Sequence, residues 1–384
     1  MKRIRPPDLS LSFEDDGKVL VRAPTRGIGA RVPSIAIGIL SFCGSPRDEA
    51  EVAEAFGPVG AQLYLGLANG GLLMEASAAE ATPLFFENFA AVDIHRRMLD
   101  DEPRLQAYRA AIAEVVTPEM SVLDAGTGSG VLAALAARAG AKRVVAIDNS
   151  DIIALAQEVF KRSDLPQVEV IKSDIRDVEL AEPVDVIVTE TFGSLALAEG
   201  SVGDILLCSG RNLKPTGTMI PNAIDFWLAP VGDPAVLDQV IGSFSKVEGV
   251  DLSPLADAAM NRAISLQVDE STLLHQGKRL MRLPYPTGGS SVVGDLTFDV
   301  SGRCVGLCGW FDLRLSPSVS LSTGPFAPTT HWYQTFFPIE PLDLDEPLTL
   351  GVELTPAPDD RRAYELHTTW SSGDWTKTSF HRIR

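Results

Sequence analysis

The stretch Val122-Leu-Asp-Ala-Gly-Thr-Gly-Ser-Gly130 decides how this chain is read. An apolar run, Ser121 to Asp124, enters a turn with glycine at every second position, and a helical pattern, Gly130–Ala139, leaves it. A strand that turns through glycines into a helix is the Rossmann arrangement: the glycines let backbone come close to a ligand at the helix N-terminus. Working outward, strand patterns recur at Arg143-Val-Val-Ala-Ile147, Val168-Glu-Val-Ile171 and Val184-Asp-Val-Ile-Val188, with a helical stretch Ile152–Phe160 among them. Strands alternating with helices predict a doubly wound α/β domain over about 81–220.

The glycine spacing narrows the ligand. The dinucleotide form needs glycine at 131, where this chain has valine. That favours a cofactor without a pyrophosphate, S-adenosylmethionine above all. Asp124 at the strand end suits the methionine ammonium, beside Gly126, Gly128 and Gly130. Asp148, 18 residues past Gly130, ends the next strand, where an acid accepts both ribose hydroxyls. Asp174, with Ile175 beside it, follows the third strand, where a carboxylate meets the adenine amine. A single Asp after a strand is often only a turn residue; the ordered set after successive strands points to function.

Beyond the fourth strand lie Glu190 and Glu199, nine residues apart in Glu-Thr-Phe-Gly-Ser-Leu-Ala-Leu-Ala-Glu. A carboxylate pair beside such a cofactor calls for a second ligand with delocalised positive charge. A guanidinium, with pKa above about 12, is a poor nucleophile. Two carboxylates can grip it bidentately, orient one nitrogen and hold its charge on the others. The interior of the segment, Thr191 to Ala198, is small and apolar and reads as an unusual pocket rim.

At this point the chain resembles the protein arginine methyltransferase family, from about residue 84 to the end. The resemblance rests on the two glutamates and on Thr330-His331-Trp332. It rests also on Phe85-Phe86-Glu87-Asn88-Phe89, which precedes His95, Met98 and Arg104 at the family's offsets. It implies Glu190, Glu199, His331 and Asp101 as catalytic residues, the last as partner of the histidine. It implies Arg104 at the cofactor carboxylate, Met98 near the transferable methyl, and Phe85 and Phe89 at the cofactor. Both phenylalanines replace family tyrosines, so the hydroxyls that would bond the cofactor or the glutamate loop are missing. A helical excursion over about 233–262 matches the family's dimerisation arm, and a homodimer is expected.

The flanks complete the reading. Residues 1–80 give a strand, Lys18–Arg22, then helices at Pro33–Phe42, from Ser45-Pro46, and at about Gly60–Ala68, then a strand, Leu72–Glu75. That is a winged-helix order, and it resembles the PqqD-like peptide-recognition domains of ribosomal peptide maturation. Such domains take a leader peptide on a sheet edge. Between residues 47 and 80 only Arg47 is basic, against Asp48, Glu49, Glu51, Glu54, Glu75 and Glu80. A DNA-reading helix needs basic and amide side chains, so nucleic acid is not expected. Residues 221–384, rich in short alternating runs, predict a β-barrel. The fold class is thus a Rossmann-like methyltransferase domain followed by a β-barrel, with a small N-terminal winged-helix α+β domain.

Composition agrees. The 384 residues are 45% hydrophobic and 22% charged, with net charge −18, which repels phosphate backbones and favours cationic partners. No apolar run approaches a membrane span and no signal peptide is read, so a cytoplasmic location is expected. Four scattered cysteines read as reduced thiols, and Cys304 with Cys308 as core or surface residues more than a metal site. The leading reading is arginine methylation on a peptide or protein. The alternatives are a free guanidino metabolite as substrate, or a scaffold subunit that retains the fold.

Overall fold

The N-terminal unit, Met1–Ile94, begins with strands. The computed structural model describes all residues but 1, 6–9, 14–17, 24–27, 44–46, 76–91, 245, 249, 290, 359 and 361. After β1 (Arg3–Ile4), an antiparallel meander runs through β2 (Ser10–Phe13), β3 (Lys18–Ala23) and β4 (Ile28–Pro33). In the central strand Val19, Val21 and Ala23 are fully buried, the period of two that a sheet with one covered face requires. Two helices cover it: α1 (Ile35–Phe42) supplies Ala36, Ile39 and Leu40, and α2 (Glu49–Asn69) supplies Val52, Tyr64 and Leu67. The second helix was expected from Ser45-Pro46, which lie outside the described residues; among the described residues it runs from Glu49. Asp48 is its cap: its carboxylate accepts from Glu51 N at 3.0 Å, and the Glu51 carboxylate accepts from Asp48 N at 2.8 Å. Gly57, at φ 70°, breaks α2 before Pro58, so its halves are the second and third helices expected. β5 (Met74–Glu75) returns to pair with β1. β2 and β4, the short runs Ser-Leu-Ser-Phe and Ile-Gly-Ala-Arg-Val-Pro, were not expected from the sequence.

The second unit, His95–Arg384, is entered through α3 (Val92–Leu99) and α4 (Glu102–Val115). Its sheet alternates with helices: β6 (Ser121–Ala125), α5 (Val131–Arg138), β7 (Arg143–Asp148), α6 (Ile152–Arg162), β8 (Val168–Lys172), β9 (Val184–Thr189), α7 (Ser201–Asn212) and β10 (Leu213–Ile220). All pairings are parallel in the order β10-β9-β6-β7-β8. Every residue of β6 is buried, as in a sheet covered on both faces. The chain moves outward from β6 through β7 to β8, then returns to β9 on the other side of β6. That reversal opens a crevice at the carboxyl ends of β6 and β9, the ligand position of open α/β sheets.

At Ile220-Pro221-Asn222 the chain turns into the barrel, β11 (Ala223–Val231). The excursion follows as α8 (Pro234–Ile241), the hairpin β12 (Lys246–Val247) and β13 (Val250–Asp251), and α9 (Ser253–Ala259). Then come β14 (Ile264–Leu266), β15 (Lys278–Pro284), β16 (Val292–Phe298), β17 (Gly302–Arg314), β18 (Ser320–Ser322), β19 (Gln334–Leu344), β20 (Leu348–Pro356), β21 (Tyr364–Ser372) and β22 (Trp375–Ile383). They form antiparallel sheets β14-β19-β17-β11-β15, with β18 on β17, and β16-β20-β21-β22. One hydrophobic core runs from Val122 and Tyr108 through Phe226 and Phe337 to Trp370, so the regions separated at 220 are halves of one unit. A smaller cluster joins Val236, Leu237 and Val240 of α8 to Ala229, Val305 and Phe336. β17 shifts register between Cys304 and Gly306, and the two thiols fall in different clusters, Cys304 in the main core and Cys308 in the smaller one. All four cysteines are buried and free. Among the described residues no helix is long and apolar enough to cross a membrane.

Candidate active site

The site is built around the start of α4. Asp101 caps that helix, its Oδ1 accepting from Arg104 N at 3.1 Å. Its Oδ2 accepts from His331 N at 2.8 Å and lies 2.7 Å from His331 Nδ1. One carboxylate thus fixes both a helix start and the barrel loop Thr330-His331-Trp332. Burial pushes the Asp101 carboxyl up, but the bonds from His331 and from Arg104 N outweigh it and hold the group below its ordinary range. Glu114 at the other end of α4 accepts from Ser316 Oγ at 2.6 Å and Ser318 Oγ at 2.5 Å, a second tie to the barrel.

Arg104 and Tyr108, one helical turn apart, share a face of α4. Arg104 Nη1 is ion-paired to Glu190 Oε2, and its Nη2 donates to the Met98 carbonyl at 2.6 Å. Tyr108 Oη donates to the Thr189 carbonyl at 2.9 Å. The helix therefore clamps the end of β9 at two successive residues. The sequence reading did not find Tyr108; its i+4 spacing from Arg104 was the available signal. Arg104, expected at the cofactor carboxylate, is engaged on Glu190 through Nη1, and its buried Nε has no partner among the described residues. Phe85 and Phe89 lie outside the described residues.

The glycine loop fills the crevice mouth. Gly126, Gly128 and Gly130 have φ of 82°, 51° and 84°, the left-handed region that excludes most side chains. A Cβ on Gly126 would come within 2.3 Å of Thr191 Cγ2, and one on Gly128 within 2.9 Å of His95 Cε1. Asp148 braces the loop: its Oδ2 accepts from Gly128 N at 2.9 Å, and its Oδ1 from Ser150 N and Oγ at 2.8 and 2.7 Å. Asp124 Oδ2 accepts from Thr127 Oγ1 at 2.6 Å and Ala133 N at 2.9 Å. Its Oδ1 is buried and has no partner among the described residues. Burial drives the Asp124 carboxyl up to about 7 against those two bonds. A buried carboxylate oxygen without a donor, beside a backbone cradle that excludes Cβ atoms, fits the ammonium of S-adenosylmethionine. Asp174 is held bidentately by Arg176, at 2.9 and 2.7 Å, and accepts from Arg176 N as well. Ile175 packs against the core.

The loop between the two glutamates is interior rather than rim: Phe192 and Leu195 to Ala198 are buried. Leu195, Ala196 and Glu199 hold φ of 53°, 58° and 80°, conformations that cost about 1–3 kcal/mol each and need external support. The support is visible. Trp332 Nε1 donates to the Phe192 carbonyl at 2.5 Å, and Glu199 N donates to the Arg362 carbonyl at 2.9 Å. Ser194 Oγ lies 2.8 Å from Ser265 Oγ. Glu199 folds over Gly193, where a Cβ would fall 2.9 Å from its Cγ and 3.0 Å from its Cδ. Burial raises the Glu190 carboxyl, with Arg104 and His331 pulling it back. Burial and then the Glu190 charge push Glu199 up to about 8, against the opposing charge of Arg362. Met98, Asp101, Arg104, Glu190, Glu199 and His331 all lie in the second unit.

A parallel sheet with its glycine loop at the switch point, an acid ending the second strand and a barrel sharing the same core define a Rossmann-like methyltransferase. Residues 122–217 match the family described as a methyltransferase domain, and residues 223–374 the arginine methyltransferase oligomerization subdomain. Protein arginine N-methyltransferase 6 of Danio rerio is 32% identical over 272 residues, 65% of this chain and 77% of that protein. Probable protein arginine N-methyltransferase 6 of Arabidopsis thaliana is 28% identical over 344 residues, 75% of this chain and 78% of the relative. The chain belongs to the protein arginine N-methyltransferase family and is an S-adenosylmethionine-dependent enzyme of it. Among solved structures, Arabidopsis thaliana protein arginine methyltransferase 10 aligns with a TM-score of 0.68 at 25% identity, covering 78% of this chain and all of that one (100%). The Trypanosoma brucei PRMT1 enzyme–prozyme heterotetramer, solved with S-adenosylhomocysteine, aligns at 0.73 with 23% identity, over 77% of this chain and 99% of that one, a likeness of fold.

Proposed function

We propose that the methyl group is delivered to an arginine guanidinium carried by a peptide or protein, gripped by Glu190 and Glu199. One observation carries this: the carboxylates of Glu190, buried, and Glu199, half-buried, bracket one inward-folded loop, and Glu190 already holds a guanidinium, that of Arg104. When bound, S-adenosylmethionine supplies an electrophilic methyl on a sulfonium. Asp124 Oδ1 would take its ammonium, Asp148 its ribose hydroxyls, and the Gly126–Gly130 backbone would lie against it. Asp174 and Ile175 would border its adenine. Arg104 Nε is the donor left for its carboxylate, and Met98 would border the transferable methyl. Glu190 and Glu199 hold the substrate's charge on two nitrogens and leave the third richer in electrons. Asp101 fixes the Nδ1 side of His331, so its Nε2, or Glu199, is placed to take the departing proton. The test is methylation of an arginine peptide by Glu190→Gln; an unchanged rate would remove that residue from the site.

The N-terminal unit serves, on this reading, as a winged-helix domain that receives a leader peptide. In the meander β2-β3-β4 the two outer strands have one neighbour each among the described residues, which supports strand addition at an edge. Deleting residues 1–80 tests it. Lost peptide binding with S-adenosylmethionine binding intact agrees; lost folding makes the unit structural, and free arginine then becomes the substrate to try. The excursion at 233–262 serves as an arm for a homodimer, supported by the exposed Val250 and Leu255 on it. Sedimentation of Leu255→Asp, expected to shift toward monomer, tests that part.

A further inference from the structure

The outer face of the sheet β15-β11-β17 carries a charged cluster outside the methyl-transfer site. At its centre is Asp225 of β11, whose side chain is fully buried. Arg282 of β15 donates to it from Nε at 2.6 Å and from Nη2 at 2.8 Å, and Arg314 of β17 donates from Nε at 3.0 Å. Those bonds satisfy the carboxylate, and Arg314 Nη1 goes on to Ser320 Oγ at 3.0 Å. Arg279 nevertheless brings another guanidinium to the same group, its Nη1 3.7 Å from Asp225 Oδ1, too far for a hydrogen bond. It adds positive charge beside Arg282 and Arg314 and gains no bond to Asp225 in return. Arg279, Arg282 and Arg314 against Asp225 leave a positive surplus in a chain of net charge −18. Asp312, across from Asp225 in register, offsets little of it, because burial raises its carboxyl and the Asp225 charge adds to that. The arginine side chains are 39–46% exposed, so the cluster opens to solvent. Further along the same face the surface turns apolar. Trp227 stacks on Trp310 at 6.1 Å, and the exposed Phe326 meets Trp310 edge-on at 6.4 Å.

We propose that this face of the barrel is an accessory site for an acidic segment of the polypeptide substrate, with an Asp or Glu carboxylate on Arg279 and an apolar side chain against Phe326. This rests on a peptide or protein as the methyl acceptor. A guanidinium fork matches a carboxylate, two N–H groups to two oxygens, and the fork of Arg279 is uncommitted among the described residues. A carboxylate bound there pairs the surplus cation and offsets its repulsion from Arg282 and Arg314. Charge complementarity selects the occupant: the net negative charge of the chain repels an acidic segment, and this cluster is where one can land.

The experiment uses a fluorescein-labelled peptide with a Glu-Glu-Phe segment and no arginine, so that it reports the barrel face and not the glutamate pair. Anisotropy is measured with the full-length wild type, Arg279→Gln and Arg279→Lys at about 50 mM salt, where screening is weak. Arg279→Gln should weaken binding about tenfold, the effect of losing one charge-assisted bond. Arg279→Lys, which keeps the charge without the fork, should recover only part of the loss. Changing the peptide's glutamates to glutamine should abolish binding. In methylation assays, an arginine peptide that carries the segment should show a KM raised about tenfold by Arg279→Gln with kcat unchanged, and a peptide without it should not respond. Equal binding by wild type and Arg279→Gln overturns the proposal. So does binding of a phosphoserine version but not of the glutamate version. A shift in sedimentation with Arg279→Gln, with no peptide bound by the wild type, gives the face to a second copy of the chain and also overturns it. If the wild type methylates neither arginine peptide, the polypeptide-substrate reading fails, whereas the anisotropy result tests the cluster by itself.

Discussion

Glu199 gives the most quantitative prediction, because its environment sets its charge near neutral pH. Its carboxyl is pushed up to about 8 by burial and by Glu190. About one molecule in ten then carries the ionised form at pH 7, and about nine in ten at pH 9. The substrate guanidinium keeps its charge throughout this range. If only the ionised form binds it, apparent affinity scales with that fraction, and kcat/KM should rise about tenfold from pH 7 to pH 9. The sign follows from the chemistry: the competent species is the deprotonated acid, so activity is lost as pH falls through the raised value. Glu199→Gln should abolish this limb. At pH 9 it should also lower kcat/KM by about 10–150-fold, the loss of one charge-assisted hydrogen-bonded contact of about 1.5–3 kcal/mol. The assay is initial-rate methylation of an arginine peptide at saturating S-adenosylmethionine in a constant-ionic-strength buffer series. A flat profile from pH 6.5 to 9 in the wild type, or a Glu199→Gln profile that keeps the rise, would refute the reasoning.

Further outcomes follow from single contacts. Gly193→Ala places a Cβ 2.9 Å from Glu199 Cγ, so kcat/KM should fall about a hundredfold, as misplacements of about 1 Å do, with cofactor affinity unchanged in calorimetry. Tyr108→Phe leaves the Thr189 carbonyl without its donor and should cost about 1–3 kcal/mol of stability in denaturant unfolding. Asp124→Asn can keep the acceptor for Thr127 and Ala133 but loses the negative charge. It should weaken S-adenosylmethionine binding about 10–100-fold by calorimetry, the worth of a charge-assisted bond. Folded Glu199 keeps a proton between its ordinary 4.5 and about 8, where the unfolded chain has lost it. Stability therefore falls as pH rises through that window, and the wild-type decline in melting temperature should exceed that of Glu199→Gln.

The parallel sheet was legible because its central strands are buried and rich in Val and Ile, with helical patterns between them. The glycine loop was legible because Gly126, Gly128 and Gly130 need φ values that other residues avoid. The pairing of His331 with Asp101 came from the family resemblance alone, for 230 residues separate the two. Other features escaped. The meander around β3 was missed because β2 is only four residues long and β4 carries Gly29, Arg31 and Pro33 among its apolar residues. The helix start at Asp48 was missed because Ser45-Pro46 mimics the same signal, whereas the reciprocal bond from Glu51 decides it. The apolar segment Phe192 to Ala198 read as a rim, but left-handed turns at Leu195 and Ala196 fold it into the core. Arg362 could not be found by motif, since its bond to Glu199 is made by a carbonyl that any residue possesses.

The central claim is that Glu190 and Glu199 bind the guanidinium that receives the methyl group. Fragmentation mass spectrometry of an arginine peptide, incubated with S-adenosylmethionine and either wild type or Glu190→Gln at equal cofactor occupancy, tests it most directly. The account predicts methyl groups on the guanidino nitrogens with the wild type and a rate lower by two orders of magnitude or about that with the variant. Methylation at any other side chain, or a variant as fast as the wild type, would contradict it.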